Sequence, residues 1–303
     1  MFIQKLPGDD PLAIFIPERV DVNCKEALER NKPEEACNAF IKSVRRGTPR
    51  FDRPHSWAAI LRSQENESEY LEQQRVIADN ALELRYTGVY GVEHQFEQEI
   101  DWHHDPTAEM GEKQTHEWTW QFNRHLHWLA FAETWEYTGD AKYALAWERE
   151  FWSWNEQCPR PSDGGRKPRS AWRPIETAIR ANRRWPVIFD IFRKCPDISD
   201  ETLWQFIVSF REHGNHLLQH PEGNHNMQAM ICNGLAHVGF MFPELVLSDT
   251  FALTGLDRSI AQLERQIYPD GLEDELSPGY GYISFRNLYE ALKMASWASS
   301  EEG

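Results

Sequence analysis

Residues 201–220 read ETLWQFIVSFREHGNHLLQH, and the spacing of their apolar side chains decides the class of fold. Leu203, Phe206, Ile207, Phe210, Leu217 and Leu218 recur at three- and four-residue steps, which gathers them on one face of a helix. The next stretch repeats the rhythm: Met227, Met230, Ile231, Leu235 and Val238 make a second stripe, with Pro243 just past its end. A third, at 248–271, closes on Pro269, Asp270 and Gly271, which are turn residues.

Upstream, residues 119–159 read as two helices joined at Thr138-Gly139-Asp140, with Gly139 a natural C-terminal stop and Pro159 closing the second. Residues 170–196 give another helix, whose regular run is limited by Pro174 near its start and Pro186 within it. Successive strands of alternating polarity are missing. Helices with short connections pack as antiparallel neighbours, so the pattern predicts an all-α array of helical hairpins, a toroid or a solenoid. No repeat of fixed length stands out, which disfavours the regular solenoids.

The chain has 303 residues and a formal charge of −16, which speaks against general affinity for nucleic acid or an anionic membrane. A polyanion would have to meet a local basic patch. Arg160, Arg166, Lys167, Arg169, Arg173, Arg180, Arg183 and Arg184 offer one, although a solvated loop and ordinary helix charges explain them as well. Nowhere do about eighteen apolar residues run together, and the N-terminus lacks the pattern of a signal peptide. The five cysteines are widely spaced, without a CxxC pair. Thirteen tryptophans, many beside His, Arg or Glu, suit a groove that stacks on sugar rings; core packing accounts for them equally.

Three segments concentrate reactive groups: EGNHNMQ at 222–228, YPDGLEDELSPGYGY at 268–282, and FNRHLHW at 122–128 with the preceding DWHHDPT at 101–107. Asn226 falls at the first turn of the helix that begins near Met227, where free backbone N–H groups favour an anion. An uncharged amide could hold a carboxylate there, and an N-cap reading explains the same residue; the two roles can combine. Tyr280 and Tyr282 follow a Ser-Pro-Gly turn, where a phenol could donate or accept a proton. Asp270, Glu273, Asp274 and Glu275 could instead supply the carboxylate pair of a glycoside hydrolase. His103, His104, His116, His125 and His127 form a loose group, but His125 and His127 are two apart and a helix points them to different faces, so no metal site is expected. Asn123, Arg124 and Trp120 read as lining a groove.

Taken in order, DWHHDPT, WQFNRHLHWLAFAETWEYTGDAKYALAW, AWRPIETAIR, GNHNMQAMICNGLAHVGFMFPE and QIYPDGLEDELSPGYGY resemble the N-terminal helical domain of the heparinase II/III group of polysaccharide lyases, most closely its heparan-sulfate lyase branch. The resemblance covers roughly residues 85 to 295, with residues 1–84 a less recognisable helical segment expected to be continuous with 85–303. It implies an incomplete α/α toroid followed by a β-sandwich domain, with an acidic glycan in the cleft between. The β-sandwich, and the metal-associated histidines it carries in the family, have no counterpart before Gly303, so no cofactor is expected in this chain and the further domain is an expected partner. The resemblance also implies a periplasmic or secreted protein.

The implied reaction is β-elimination at a uronic acid. An amide helps neutralise the carboxylate, a base removes the C5 proton, and a tyrosine protonates the departing O4. The helix-opening asparagine of the family falls on Asn226, or on Asn224 if the Asn-His pair governs the alignment; the tyrosine falls on Tyr280. His225 is expected to help hold the carboxylate, while Asn123, Arg124, Trp120, Trp172, Arg180 and Glu275 are expected to contact the glycan. A hydrolase using the acidic loop and a non-catalytic glycan-binding scaffold remain as alternatives.

Overall fold

The computed structural model describes residues 11–50, 67–223, 225–274 and 276–300. Among them the chain is almost entirely helical: α1 (Val22–Glu29), α2 (Pro33–Arg46), α3 (Glu67–Leu82), α4 (Glu117–Phe122), α5 (Leu126–Thr138), α6 (Ala141–Gln157), α7 (Pro174–Ile179), α8 (Trp185–Phe192), α9 (Asp200–Gln219), α10 (Asn226–Met241), α11 (Ser248–Gln266) and α12 (Pro278–Ala298). The described sheet is one short antiparallel hairpin, β1 (Arg85–Thr87) with β2 (Glu93–Gln95), Tyr86 opposite His94. Sequence periodicity gives no sign of a hairpin this short.

Local signals set the boundaries. Gly139 ends α5 in the left-handed region at φ 70°, and Asp140 then caps α6, accepting from the Lys142 backbone N–H at 3.1 Å. Ser199 caps α9 through Thr202 N–H. Ser277 caps α12, with Pro278 at its first position, where the missing N–H costs nothing. Pro186 has a different outcome. The helix does not break there; between α7 and α8, Arg180–Arg184 form a π-turn in which Trp185 N–H bonds to the Arg180 carbonyl five residues back. One extra residue in the turn accommodates a proline that can neither donate nor tolerate the usual carbonyl behind it.

The centre of the array is α10, buried along nearly its whole length. Small residues allow this. A Cβ on Gly234 would lie 2.8 Å from Ala178 Cα of α7, and one on Gly255 of α11 would lie 2.6 Å from Ala236 N of α10, so both neighbours approach α10 at backbone distance. The segment before α3 is tied to the rest: Phe15 packs on Phe40 and Trp204, Ile16 N–H donates to Glu244 O, and Arg45 pairs with Asp200 at 2.6 Å.

The part of the single core that lies between α4 and α9 is rich in aromatic rings and buried polar side chains. Trp102, Trp118, Trp128, Trp147, Trp154 and Trp185 are fully buried there. His125 stacks on Trp128 at 3.6 Å and accepts from Trp185 Nε1–H. Burial, then nearby Arg180, holds its pKa well below the usual histidine value, so it packs as a neutral ring.

Candidate active site

The sequence-expected site residues separate into two places. Asn123, Trp172 and Arg180 belong to the interior: their exposures are 0%, 3% and 0%. Asn123 donates to Trp102 O and Thr119 O and accepts from Trp154 Nε1–H. Trp172 donates to Cys158 O at 2.7 Å. Arg180 donates to Asn123 O, Ala171 O and His213 Nε2, with its guanidinium over the Trp154 ring; burial brings its pKa down to about 9. A groove-lining surface is not what these three provide. Each spends its polar atoms bracing the aromatic core, so any influence on a ligand passes through that scaffold.

Asn226, His225 and Tyr280 lie at the surface end of the α10–α12 layer. The N-cap expectation for Asn226 is corrected: it is the first helical residue, and the cap position belongs to His225, whose exposed side chain makes no capping bond. The loop before α10 is fixed from within, because the Glu222 backbone N–H donates to Oε1 of buried Gln228 at 2.7 Å. Tyr280 is 48% exposed in the first turn of α12, and Tyr282 42%. Asn224 and Glu275 lie outside the described residues.

Helix order brings the starts of α10 and α12 to one end. Gly239 of α10 faces Ala252 of α11, while Gly255 of α11 faces Ala236 and Cys232, so the two run antiparallel and α11 ends where α10 begins. From there Ile267 bridges to Glu273, Asp274 N–H donates to Gln266 O, and Glu273 Oε1 accepts from Ser284 Oγ in the second turn of α12. The opening of α12 is therefore anchored at the end of α11. Lower down, Asn233 Nδ2 donates to Asn287 Oδ1 at 3.0 Å and ties α10 to α12. Asn226 and Tyr280 each stand seven residues before their partner in that bond, about 10 Å toward the same end.

The acidic loop is committed to structure at two of its positions. Asp270 accepts from Leu272 N–H within the turn, and Glu273 is 7% exposed against Ser284. Asp270 is nevertheless exposed and Asp274 half-buried, so burial takes only Glu273 out of reach in the described part of the loop.

Part of the basic patch expected from the sequence, Arg173, Arg183 and Arg184, flanks this end together with Arg124. Asn182, just after Arg180 in the π-turn, donates to the same Asn287 oxygen at 3.2 Å. Its neighbour Arg183 senses the charges of Arg286, Glu290, Arg124 and Tyr282, and burial above all brings it down to about 10. Arg124 pairs with fully buried Glu176 at 2.8 Å, and Arg173 clamps the same carboxylate while covering the Trp120 ring at 3.7 Å. The run of basic residues in the sequence was the only signal, and it did not tell Arg180, turned inward, from Arg183 and Arg184. Among the described residues no group of three or more His, Cys, Asp or Glu could hold a metal ion.

The Heparinase II/III N-terminus family model matches residues 20–302. A heparin-sulfate lyase of Bacteroides stercoris is 27% identical over 244 residues, 73% of this chain and 35% of that protein. One of Pedobacter heparinus is 29% identical over 209 residues, 68% of this chain and 30% of the relative. Among solved structures, heparinase III superposes with a TM-score of 0.79 at 22% identity, covering 95% of this chain and 43% of that one. Heparan sulfate lyase HepC from Pedobacter heparinus gives 0.74 at 22% identity, covering 94% and 43%. The chain spans about a third of the length of the curated relatives it matches, and the structural likeness is one of fold, the all-α arrangement expected from the helical stripes.

Proposed function

The chain belongs to the heparinase II/III N-terminus family, and from that premise we propose that it carries the carboxylate-neutralising and proton-donating groups of a polysaccharide lyase acting on a uronate-containing acidic glycan such as heparan sulfate. The observation that carries the proposal is the common end shared by Asn226, at the first turn of α10, and exposed Tyr280, at the first turn of α12.

In this reading the uronate carboxylate docks at the start of α10. The Asn226 amide and the positive end of the α10 dipole lower the cost of negative charge that spreads onto the carboxylate when the C5 proton leaves. A neutral amide suits the task because it stabilises that charge without holding the ground-state anion as a fixed cation would. Tyr280 serves as general base and then general acid: its deprotonated oxygen takes the C5 proton, the C5–H pair becomes the C4–C5 double bond, the C4–O4 bond breaks, and the phenol so formed gives the proton to the departing oxygen. His225, exposed beside Asn226, helps orient the carboxylate. The curated relatives named heparin-sulfate lyase support the substrate class.

The test is the product. Heparan sulfate treated with the protein is expected to yield fragments with an unsaturated uronate end, followed by their ultraviolet absorbance, and Asn226→Ala is expected to remove that signal. Saturated fragments that persist in Asn226→Ala and vanish in Glu273→Gln or Glu275→Gln would make it a hydrolase. Salt-sensitive binding with no product at any protein concentration would make it a glycan-binding scaffold.

A further inference from the structure

Beside the arginine-flanked end, a cavity of about 330 Å³ opens between α3, the β1 strand and α4, lined by Asn80, Arg85, Thr87, Gln121, Arg124 and Arg184 among others. Arg184 reaches it from the π-turn and donates from Nη1 to the Arg124 carbonyl at 3.1 Å. Arg124 has Glu176 and, at 3.7 Å, Glu117. Arg184 has no carboxylate within ion-pair distance among the described residues. Glu150, the partner of the lining residues Tyr86 and His127, already accepts from Tyr86 Oη–H, His127 Nε2 and Trp128 Nε1–H. The Nε of Arg124 is buried without an acceptor, as are Nε and Nη2 of neighbouring Arg183. Burying guanidinium charge without a counter-charge is costly, and a cavity at that spot leaves room for one to be supplied from outside.

We propose that this cavity is an anion subsite of the glycan cleft, in which Arg184, with Arg124 beside it and Arg85 at the rim, takes a sulfo group of the substrate. The proposal rests on the lyase reading above for the identity of the glycan. A sulfo group is charged at every working pH and presents several oxygens to guanidinium forks. The uronate carboxylate at the cleaved bond is assigned elsewhere, to the neutral amide of Asn226. Burial, then the neighbouring charges of Arg124 and Arg183, brings Arg184 down to about 9.

Calorimetric titration with a size-defined heparan-sulfate oligosaccharide and its chemically desulfated counterpart tests this. The unaltered protein is expected to bind the sulfated form at least about tenfold more tightly. Arg184→Gln is expected to erase that preference while leaving the affinity for the desulfated form unchanged, and Arg85→Gln, at an exposed position, to reduce it in the same direction without risk to the fold. Equal affinity of the unaltered protein for the two oligosaccharides overturns the subsite, because a carboxylate would then suffice. A preference that survives both substitutions overturns it as well. Formation of unsaturated product is read separately: its absence sinks the lyase reading while a sulfation preference lost in Arg184→Gln still supports the subsite, and its presence with equal affinities does the reverse.

Discussion

Asn123 and Asn226 carry the same side chain in opposite situations. Asn123 sits at the heart of the tryptophan-rich core with all its hydrogen bonds made to buried partners, whereas Asn226 opens a helix at the surface end of the α10–α12 layer. The same split divides Arg180 from Arg184 and Trp172 from Tyr280. Residue types associated with chemistry stand in this molecule both inside the scaffold and at its accessible end, and only the packing tells which.

The largest effect expected of that division is on turnover. Asn226→Ala should lower product formation by about 10²–10³-fold while denaturant unfolding moves by less than about 0.5 kcal/mol; equal losses of activity and stability would place Asn226 with the scaffold. Arg180→Met attacks the other region. It leaves Asn123 O, Ala171 O and His213 Nε2 without their donor, and a loss of about 3 kcal/mol or more is expected in urea unfolding; a near-neutral result would deny the interior its polar brace.

A pH series sharpens the contrast further. Burial, with Arg180 adding to it, holds His213 well below its ordinary value, and His216 and His237 are brought to about 3 and 4. The unfolded chain takes up protons as pH falls through about 6.5 while these folded histidines refuse them, so their contribution is fully present above that pH and is lost as acidity rises. Each adds roughly 1.4 kcal/mol per pH unit to the slope. His213→Gln should flatten the slope of stability between pH 6.5 and 5 by about that amount, and an unchanged slope would mean that the ring is accessible to protons. Smallest of all, Asp140→Ala removes the exposed cap of α6 and should cost about 1 kcal/mol in thermal unfolding.

What could be read from the sequence follows from range. The stripes of α9 and α10, the junction at 138–140 with its stop at Gly139 and the turn before α12 depend on neighbours a few residues away, and each is found where the spacing puts it. The places of Asn226 and Tyr280 in the first turns of α10 and α12 were legible for a related reason, since the apolar stripe and the Ser-Pro-Gly turn mark those starts locally. The interior places of Asn123, Trp172 and Arg180 were not, because their partners, such as Trp154 and His213, lie 31 to 57 positions away in pairs no local pattern reveals. The cap reading of Asn226 missed by one residue, the ordinary uncertainty of a helix boundary.

The π-turn at Arg180–Arg184 carries a last implication, for how the chain tolerates change in length. Everything downstream of an extra helical residue is rotated by about 100° about the axis, and that twist is what lets Arg180 look inward, Arg184 look toward the cavity, and Trp185 and Phe189 still meet Phe206. Deleting one position there would turn Trp185 and Phe189 away from Phe206 within a helix that is buried on every side, a harsher insult than exchanging any single arginine. Alignments that slide freely across this segment would also pair the wrong arginines between homologues.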